Sequence, residues 1–375
     1  FTDILLTTVT NSTNGVVFTY SSTASDGTIS GNTSGTLSPG ERIEDPLTNS
    51  DDNFGYVDYE IQPWTLNASG TRKCPGAVIS VRVYVEPTPK VTAVPVLDTI
   101  CNGDFTDILL TTVTNSTNGV VFTYSSTTTG GLISGNTSGT LTPGDRIEDE
   151  LTNTDNNFGY VDYEIQPWTL NASGTIKCQG AVISVRVWVN PTPLIDISFD
   201  RDRICYNEGL TLFIDSITQS TTGTLKYHLE VDAPATVSNV ALPGDYWVEA
   251  LPQTNLINTD TLIATVKYTL TPFIERADGV NNCEGEPVEI FIRIAPELIA
   301  TPIPRVTDYG NFNITCYGYT DGAIDLDVRG GWYPEPYGYE WDTFDGTGVE
   351  PNEEDQAGLT IGTYDVKVTD IIGCR

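Results

Sequence analysis

The stretch Ile79-Ser80-Val81-Arg82-Val83-Tyr84-Val85-Glu86-Pro87-Thr88-Pro89 decides the fold class. Ile79, Val81, Val83 and Val85 point one way and Ser80, Arg82 and Tyr84 the other, the period of a half-buried β-strand. The prolines after it favour an extended, semi-rigid joint. The pattern returns as Ile183, Val185, Val187 and Val189 before Pro191, and as Val288, Ile290, Ile292 and Ile294 before Pro296. Each time the inward residues fall 5, 7, 9 and 11 positions after a cysteine: Cys74, Cys178 and Cys283.

A second strand precedes each of these. Val57, Tyr59 and Ile61 match Val161, Tyr163 and Ile165, then Val266, Tyr268 and Leu270, and a Pro-aromatic pair follows each set. The correspondence widens to whole units. Phe1 to Pro89 recurs as Phe105 to Pro193, offset by 104 residues, with about a dozen changes. A near-copy of this length is a repeated domain. The expected boundaries lie near residues 90, 194 and 297, giving domains 1–90, 91–194, 195–297 and 298–375. Several short strands in about 100 residues predict all-β, immunoglobulin-like sandwiches, strung along the chain as an elongated rod.

Composition narrows the function classes. Of 375 residues, 50 are Asp or Glu and 18 are Lys or Arg, a formal net charge of −32. No cationic face for nucleic acid is expected. Hydrophobic residues make up 39%, too many for general disorder. No run of 18 apolar residues occurs, so no membrane insertion of this segment is expected. A nucleophilic triad needs histidine, and His228 stands alone.

The seven cysteines follow the repeat. Cys74 and Cys178 are equivalent, as are Cys101 and Cys205. One cysteine opens each unit and one sits near its end. This spacing predicts disulfides Cys101–Cys178, Cys205–Cys283 and Cys316–Cys374 in an extracellular, oxidising setting. Loops of this size would each contribute about 4–5 kcal/mol in the chain-entropy model. Phe105 follows Ile100-Cys101-Asn102-Gly103-Asp104, whereas Phe1 opens the chain. The first copy is therefore expected to lack its opening strand, leaving Cys74 unpaired.

The last unit reads Thr315-Cys316-Tyr317-Gly318-Tyr319-Thr320-Asp321-Gly322-Ala323-Ile324, then Gly330-Gly331, Pro336-Tyr337-Gly338-Tyr339-Glu340-Trp341, and closes Gly362-Thr363-Tyr364-Asp365-Val366-Lys367-Val368-Thr369-Asp370 and Gly373-Cys374. It resembles the SprB repeat of Bacteroidetes gliding-motility adhesins, apart from an acidic insert from Asp345 to Gln356. The third unit, with Tyr268-Thr269-Leu270-Thr271-Pro272 and Cys283-Glu284-Gly285-Glu286-Pro287-Val288, resembles PKD-like domains, and the first two match more loosely. The resemblance implies a very large cell-surface adhesin, exported by the type IX system and associated with the outer membrane. Its implied partners are external surfaces or polysaccharide, and the gliding machinery through the rest of the parent chain. No catalytic residue is carried over. Two other readings are a carbohydrate-binding or accessory module of a secreted hydrolase and a purely structural stalk.

The residues offer a few binding candidates, and no cofactor is required. Asp51 and Asp52, with Asp155 and Asn156 in the second copy, are oxygen-rich clusters of the kind that takes Ca²⁺, although such runs also form ordinary turns. Trp64, Trp168 and Trp332 are read as packing residues before sugar platforms. Tyr84 and Trp188, equivalent and outward by alternation, are candidate exposed contacts. Thr99, Ser216 and Thr261 sit in Asp-Ser/Thr-apolar triplets that resemble O-glycosylation acceptors of this bacterial phylum.

Overall fold

A computed structural model describes residues 1–277, 279–280, 282–307, 310, 312–333 and 336–375. Every regular element among them is a β-strand, and the chain divides into two compact units, Phe1–Pro191 and Thr192–Arg375. Among the described residues the first unit holds two hydrophobic cores, and the second holds two and a smaller buried cluster.

In the first unit, the long strand Gly55–Leu66 anchors one core. It pairs with Val16–Ala24 on one side and with Ile79–Val85 on the other. Leu6, Phe18, Ile29, Ile43, Val57, Tyr59 and Ile61 fill the core. The second copy repeats this around Gly159–Leu170 and adds two features. The strand Thr92–Pro95 joins Ile108–Thr111 in the facing sheet. Thr99–Ile100 runs parallel to the end of Ile183–Val189, with Ile100 opposite Val189.

These additions change burial. Val187 and Val189 are fully buried and Val185 is 9% exposed, whereas Val81, Val83 and Val85 are only half-buried and Ile79 is 58% exposed. The expected inward face is thus dry in the second copy and wet in the first. In the second copy Thr92–Pro95 and Thr99–Ile100 supply cover; among the described residues no strand lies beyond Ile79–Val85 in the same way.

In the second unit, Ala264–Glu275 takes the central place, flanked by Thr224–Asp232 and Val288–Ile294, with Arg203–Ile204 parallel to the latter. Ile195–Phe199, Glu208–Ser216, Leu251–Asn258 and Val237–Ser238 form the facing sheet. The last core lies between a three-stranded sheet, Ile299–Pro304, Gly322–Arg329 and Gln356–Leu359, and the pair Gly338–Thr343 and Tyr364–Thr369. Ile324, Leu326, Trp341, Leu359 and Val368 are its buried residues. The all-β tandem sandwich read from the period-2 pattern is the fold observed.

A buried carboxylate ties the sandwich together in each copy. Asp149, 5% exposed, accepts hydrogen bonds from the Tyr163 hydroxyl (2.7 Å), the Thr137 amide (2.8 Å) and the Thr137 hydroxyl (2.6 Å). Asp45 does the same with Tyr59 and Thr33. Gln253 replaces it in the second unit, accepting from Tyr268 and the Ala241 amide. Burial first, then the carboxylate, pushes the Tyr163 and Tyr59 hydroxyls well above the ordinary tyrosine range.

Candidate functional site

The disulfide pairing differs from the one predicted from spacing. Cys205 is bonded to Cys374, with a Cα–Cα distance of 5.4 Å, and not to Cys283. Cys178 is free and half-buried, so it does not close onto Cys101, which is disulfide-bonded, as is Cys283. Cys316 is free and exposed, as is Cys74. The parallel edge strand explains the correction. Ile204 lies opposite Ile294, at the far end of Val288–Ile294, whereas Cys283 precedes that strand and pairs with Ile274. A seven-residue strand is roughly 20 Å long. A disulfide needs Cα atoms within about 7 Å, so the opening and late cysteines of one sandwich cannot meet. They occupy opposite poles. Ile100 opposite Val189 imposes the same separation in the second copy.

Cys205 and Cys374 form a small buried cluster with Ala295 and Trp332. Arg203 and Arg293 lie over the Trp332 ring at 5.3 and 5.6 Å from its centroid. Asp370 holds the chain end by accepting from the amides of Trp332, Ile372, Gly373 and Cys374. Gly330 is at φ +85°, and a Cβ there would stand 1.8 Å from the Glu297 carbonyl oxygen, so only glycine fits this approach. Trp332 is therefore a packing residue at a braced joint. Trp64 and Trp168 each donate an indole N–H to a threonine hydroxyl, Thr19 and Thr123.

The proposed calcium positions and one glycosylation position, Thr261, fall on equivalent loops, whereas Thr99 lies in an edge strand and Ser216 ends one. Asn49, Asn153 and Asn258 each donate to the carbonyl of Val85, Val189 and Ile294, the last residue of a strand. Each also accepts from the amide of the aspartate two residues on, Asp51, Asp155 and Asp260. That aspartate in turn accepts from the next amide, of Asp52, Asn156 and Thr261, at 2.6 Å each time. These are asparagine-anchored turns. Sequence reading missed the anchoring asparagines, although their spacing of 104 and 105 residues was a signal. Asp52 faces Lys90, its Oδ1 2.6 Å from Nζ. Among the described residues, no three His, Cys, Asp or Glu side chains gather as a metal cluster. Thr261 and Ser216 are exposed, whereas Thr99 is half-buried opposite Trp188. Asp260 and Thr261 also line a cavity of about 430 Å³ with Glu297, Ile299 and Arg329.

The Asn49–Asn53 loop also carries the joint of the first unit. The Asn115 amide donates to the Asp52 carbonyl and the Asn115 carbonyl accepts from the Phe54 amide. The Thr117 amide donates to Glu86.

Tyr84 and Trp188 belong to outward ladders. The Arg82 guanidinium bonds both Asp58 oxygens (2.7 and 2.8 Å) and lies 3.7 Å from the Tyr56 ring centroid. Tyr84 meets Tyr56 and Phe54 edge-on at 6.2 Å. Arg186, Asp162, Tyr160, Trp188 and Phe158 repeat the arrangement. The hydrogen bond from arginine holds Asp58 and Asp162 below the ordinary carboxylate range. Tyr84 is 53% exposed, but Trp188 is half-buried rather than exposed, because Thr99 pairs beside it. His228 contacts Asp245 at 2.6 Å on an exposed face.

The fold and joints define a tandem array of β-sandwiches of extracellular type. The PKD-like domain family matches residues 3–89 and 98–193. PKD-like domains are typical of adhesive and stalk regions outside the cell. No curated protein sequence matches. Solved structures that align include domains FN1–FN3 of chicken CNTN1, at 10% identity over 76% of this chain and 91% of that one, with a TM-score of 0.23. Extracellular cadherin domains 1–4 of protocadherin gamma B7 align at 10% identity over 94% and 92%, with a TM-score of 0.30. Domains EC1–4 of Drosophila N-cadherin align at 11% identity over 97% and 90%, with a TM-score of 0.23.

Proposed function

We propose that this chain is a non-enzymatic segment of a very large secreted adhesin that attaches cells to surfaces during bacterial gliding. Four sandwich domains, bounded near residues 90, 194 and 297, would make up the segment. The carrying observation is the repetition, in two PKD-like units 104 residues apart, of one outward ladder of arginine and aromatic rings. Two copies of a weak contact on one chain raise avidity without any new chemistry. The SprB-like motifs of residues 298–375 support the gliding context, type IX export and an outer-membrane setting. External surfaces or polysaccharide are the partners this reading requires.

The braced joints favour a second reading, a stalk whose adhesive tip lies elsewhere. Beads coated with the chain separate the two. Retention on glass or insoluble polysaccharide, reduced by Tyr84→Ser with Trp188→Ser, supports adhesion. Beads that wash off as freely as uncoated ones would leave the stalk.

A further inference from the structure

The joint of the first unit holds a dipeptide with chemistry of its own, Asn118-Gly119. Both residues are exposed, just before the strand Val120–Thr129. The Asn118 Nδ2 donates to the Thr117 hydroxyl at 2.9 Å. That hydroxyl donates to Glu86 Oε1, and the Thr117 amide donates to Glu86 Oε2 at 3.2 Å. Glu86 directly follows the strand Ile79–Val85 of the first sandwich. A chain of hydrogen bonds from Asn118 through Thr117 to Glu86 therefore spans the two sandwiches and ends on a carboxylate.

An asparagine followed by glycine can close on itself, because glycine has no Cβ to keep its backbone nitrogen from the side-chain carbonyl carbon. The Gly119 nitrogen attacks Asn118 Cγ. The N–Cγ bond forms, the Cγ–Nδ2 bond breaks, and ammonia leaves with the proton of the Gly119 amide. Water then opens the five-membered imide at either carbonyl, giving aspartate or isoaspartate. No electrons change hands, and a neutral residue becomes an anion.

The sequence holds three such dipeptides, Asn14-Gly15, Asn102-Gly103 and Asn118-Gly119. In Asn102-Gly103 both reacting groups are tied. Asn102 Oδ1 accepts from the Asn153 amide at 2.7 Å, and the Gly103 amide donates to the Leu151 carbonyl at 2.8 Å. Asn14 is exposed, as Asn118 is.

We propose that Asn118 is a site of spontaneous deamidation and that its conversion loosens the joint. The product lacks the amide N–H that Asn118 gives to the Thr117 hydroxyl. It sets a second carboxylate beside Glu86, and the two compete for one hydroxyl proton. Like charges repel there. Isoaspartate also lengthens the main chain by one carbon next to Thr117.

The test ages the full chain in mildly alkaline buffer, digests it in acid, and reads each peptide by mass and by separation of its aspartyl and isoaspartyl forms. Asn118 and Asn14 should convert. Asn102 should convert at least about tenfold more slowly, since two hydrogen bonds must break first. Hydrogen exchange of the peptide holding Thr117 should quicken by about twofold to fivefold in the aged protein and in Asn118→Asp. Asn118→Gln keeps a neutral donor but must close a six-membered ring, so it should hold both its mass and its exchange rate. The proposal is overturned if Asn118 stays an amide while Asn14 converts, if Asn102 converts as fast as Asn118, or if Asn118→Asp leaves exchange at Thr117 unchanged.

Discussion

Asp149→Ala tests whether the buried carboxylate clamp holds the sandwich closed. The side chain accepts three hydrogen bonds and is almost fully buried, as is the Tyr163 hydroxyl that donates to it. Its own amide donates to the Thr106 hydroxyl at 2.9 Å, so one residue links the strand Gly159–Leu170 to the segments just before Gly139–Leu141 and Ile108–Thr111. Alanine leaves the Tyr163 hydroxyl and the Thr137 amide without acceptors. A buried unsatisfied group costs about 1–3 kcal/mol, so the loss should be about 3–5 kcal/mol. At about 4–8 °C per kcal/mol for a domain of this size, the second copy should melt at least about 12 °C lower.

Asn at 149 should be milder. One amide oxygen can accept from Tyr163 and the Thr137 amide, and the Thr137 hydroxyl can rotate to accept from the amide N–H, for a cost of about 1–2 kcal/mol. Gln253, a neutral amide in the equivalent place, shows that the geometry tolerates this. Calorimetry gives the shift, and hydrogen exchange along Gly159–Leu170 assigns it to this sandwich. Equal losses for Ala and Asn, or a loss below about 1 kcal/mol for Ala, would refute the clamp argument.

Three other predictions follow from the geometry. Tyr59, Tyr163, Tyr227 and Tyr268 have folded pKa values raised above the unfolded value, Tyr227 to about 12, so their contribution is full below about pH 10 and is lost as pH climbs through the folded values; stability should fall above about pH 10, and tyrosinate absorbance should lag that of a denatured control. Peptide mapping without reduction should yield a peptide joining Cys205 to Cys374, and a Cys374 that is alkylated by iodoacetamide in the unreduced protein would refute the pairing. Gly180→Ala should cost about 1–3 kcal/mol through its clash with the Pro89 carbonyl; Gly76→Ala, which meets Pro63 but no joint carbonyl, should cost less in the same melting assay.

What the sequence makes legible is what is local. Alternation at Val185, Val187 and Val189 predicts their burial, and the repeat spacing predicts that Tyr59, Tyr163 and Tyr268 are equivalent. The same code at the start of the strand fails, since Ile79 is exposed and its counterpart Ile183 is only half-buried. Cysteine spacing names Cys101, Cys205, Cys283 and Cys374, which are bonded, but also Cys178 and Cys316, which are free, and it misses the partners, because a two-residue parallel edge strand, Thr99–Ile100, carries no periodicity of its own and still moves Cys101 a strand length from Cys178. Asp45 and Asp149 are invisible among 50 acidic residues. Only their place 104 residues from each other and from Gln253 marks them.

Placing the two cysteines of a sandwich at opposite poles has a mechanical consequence. A bond within one sandwich would protect that sandwich alone. Cys205–Cys374 instead runs from the residue after the edge strand Arg203–Ile204 to the residue after Gly373 in the last sandwich, so tension on the backbone passes through the bond and bypasses the residues between. The neighbouring contacts act on the same spot. Trp332 sits beneath two guanidinium groups, Asp370 gathers four amides, and Gly330 lets the backbones touch at Glu297. None of these groups resembles a reaction centre, and all of them resist separation of successive sandwiches. Under the proposed adhesive role, drag would load the joints, where the proline-rich backbone has few hydrogen-bond donors of its own.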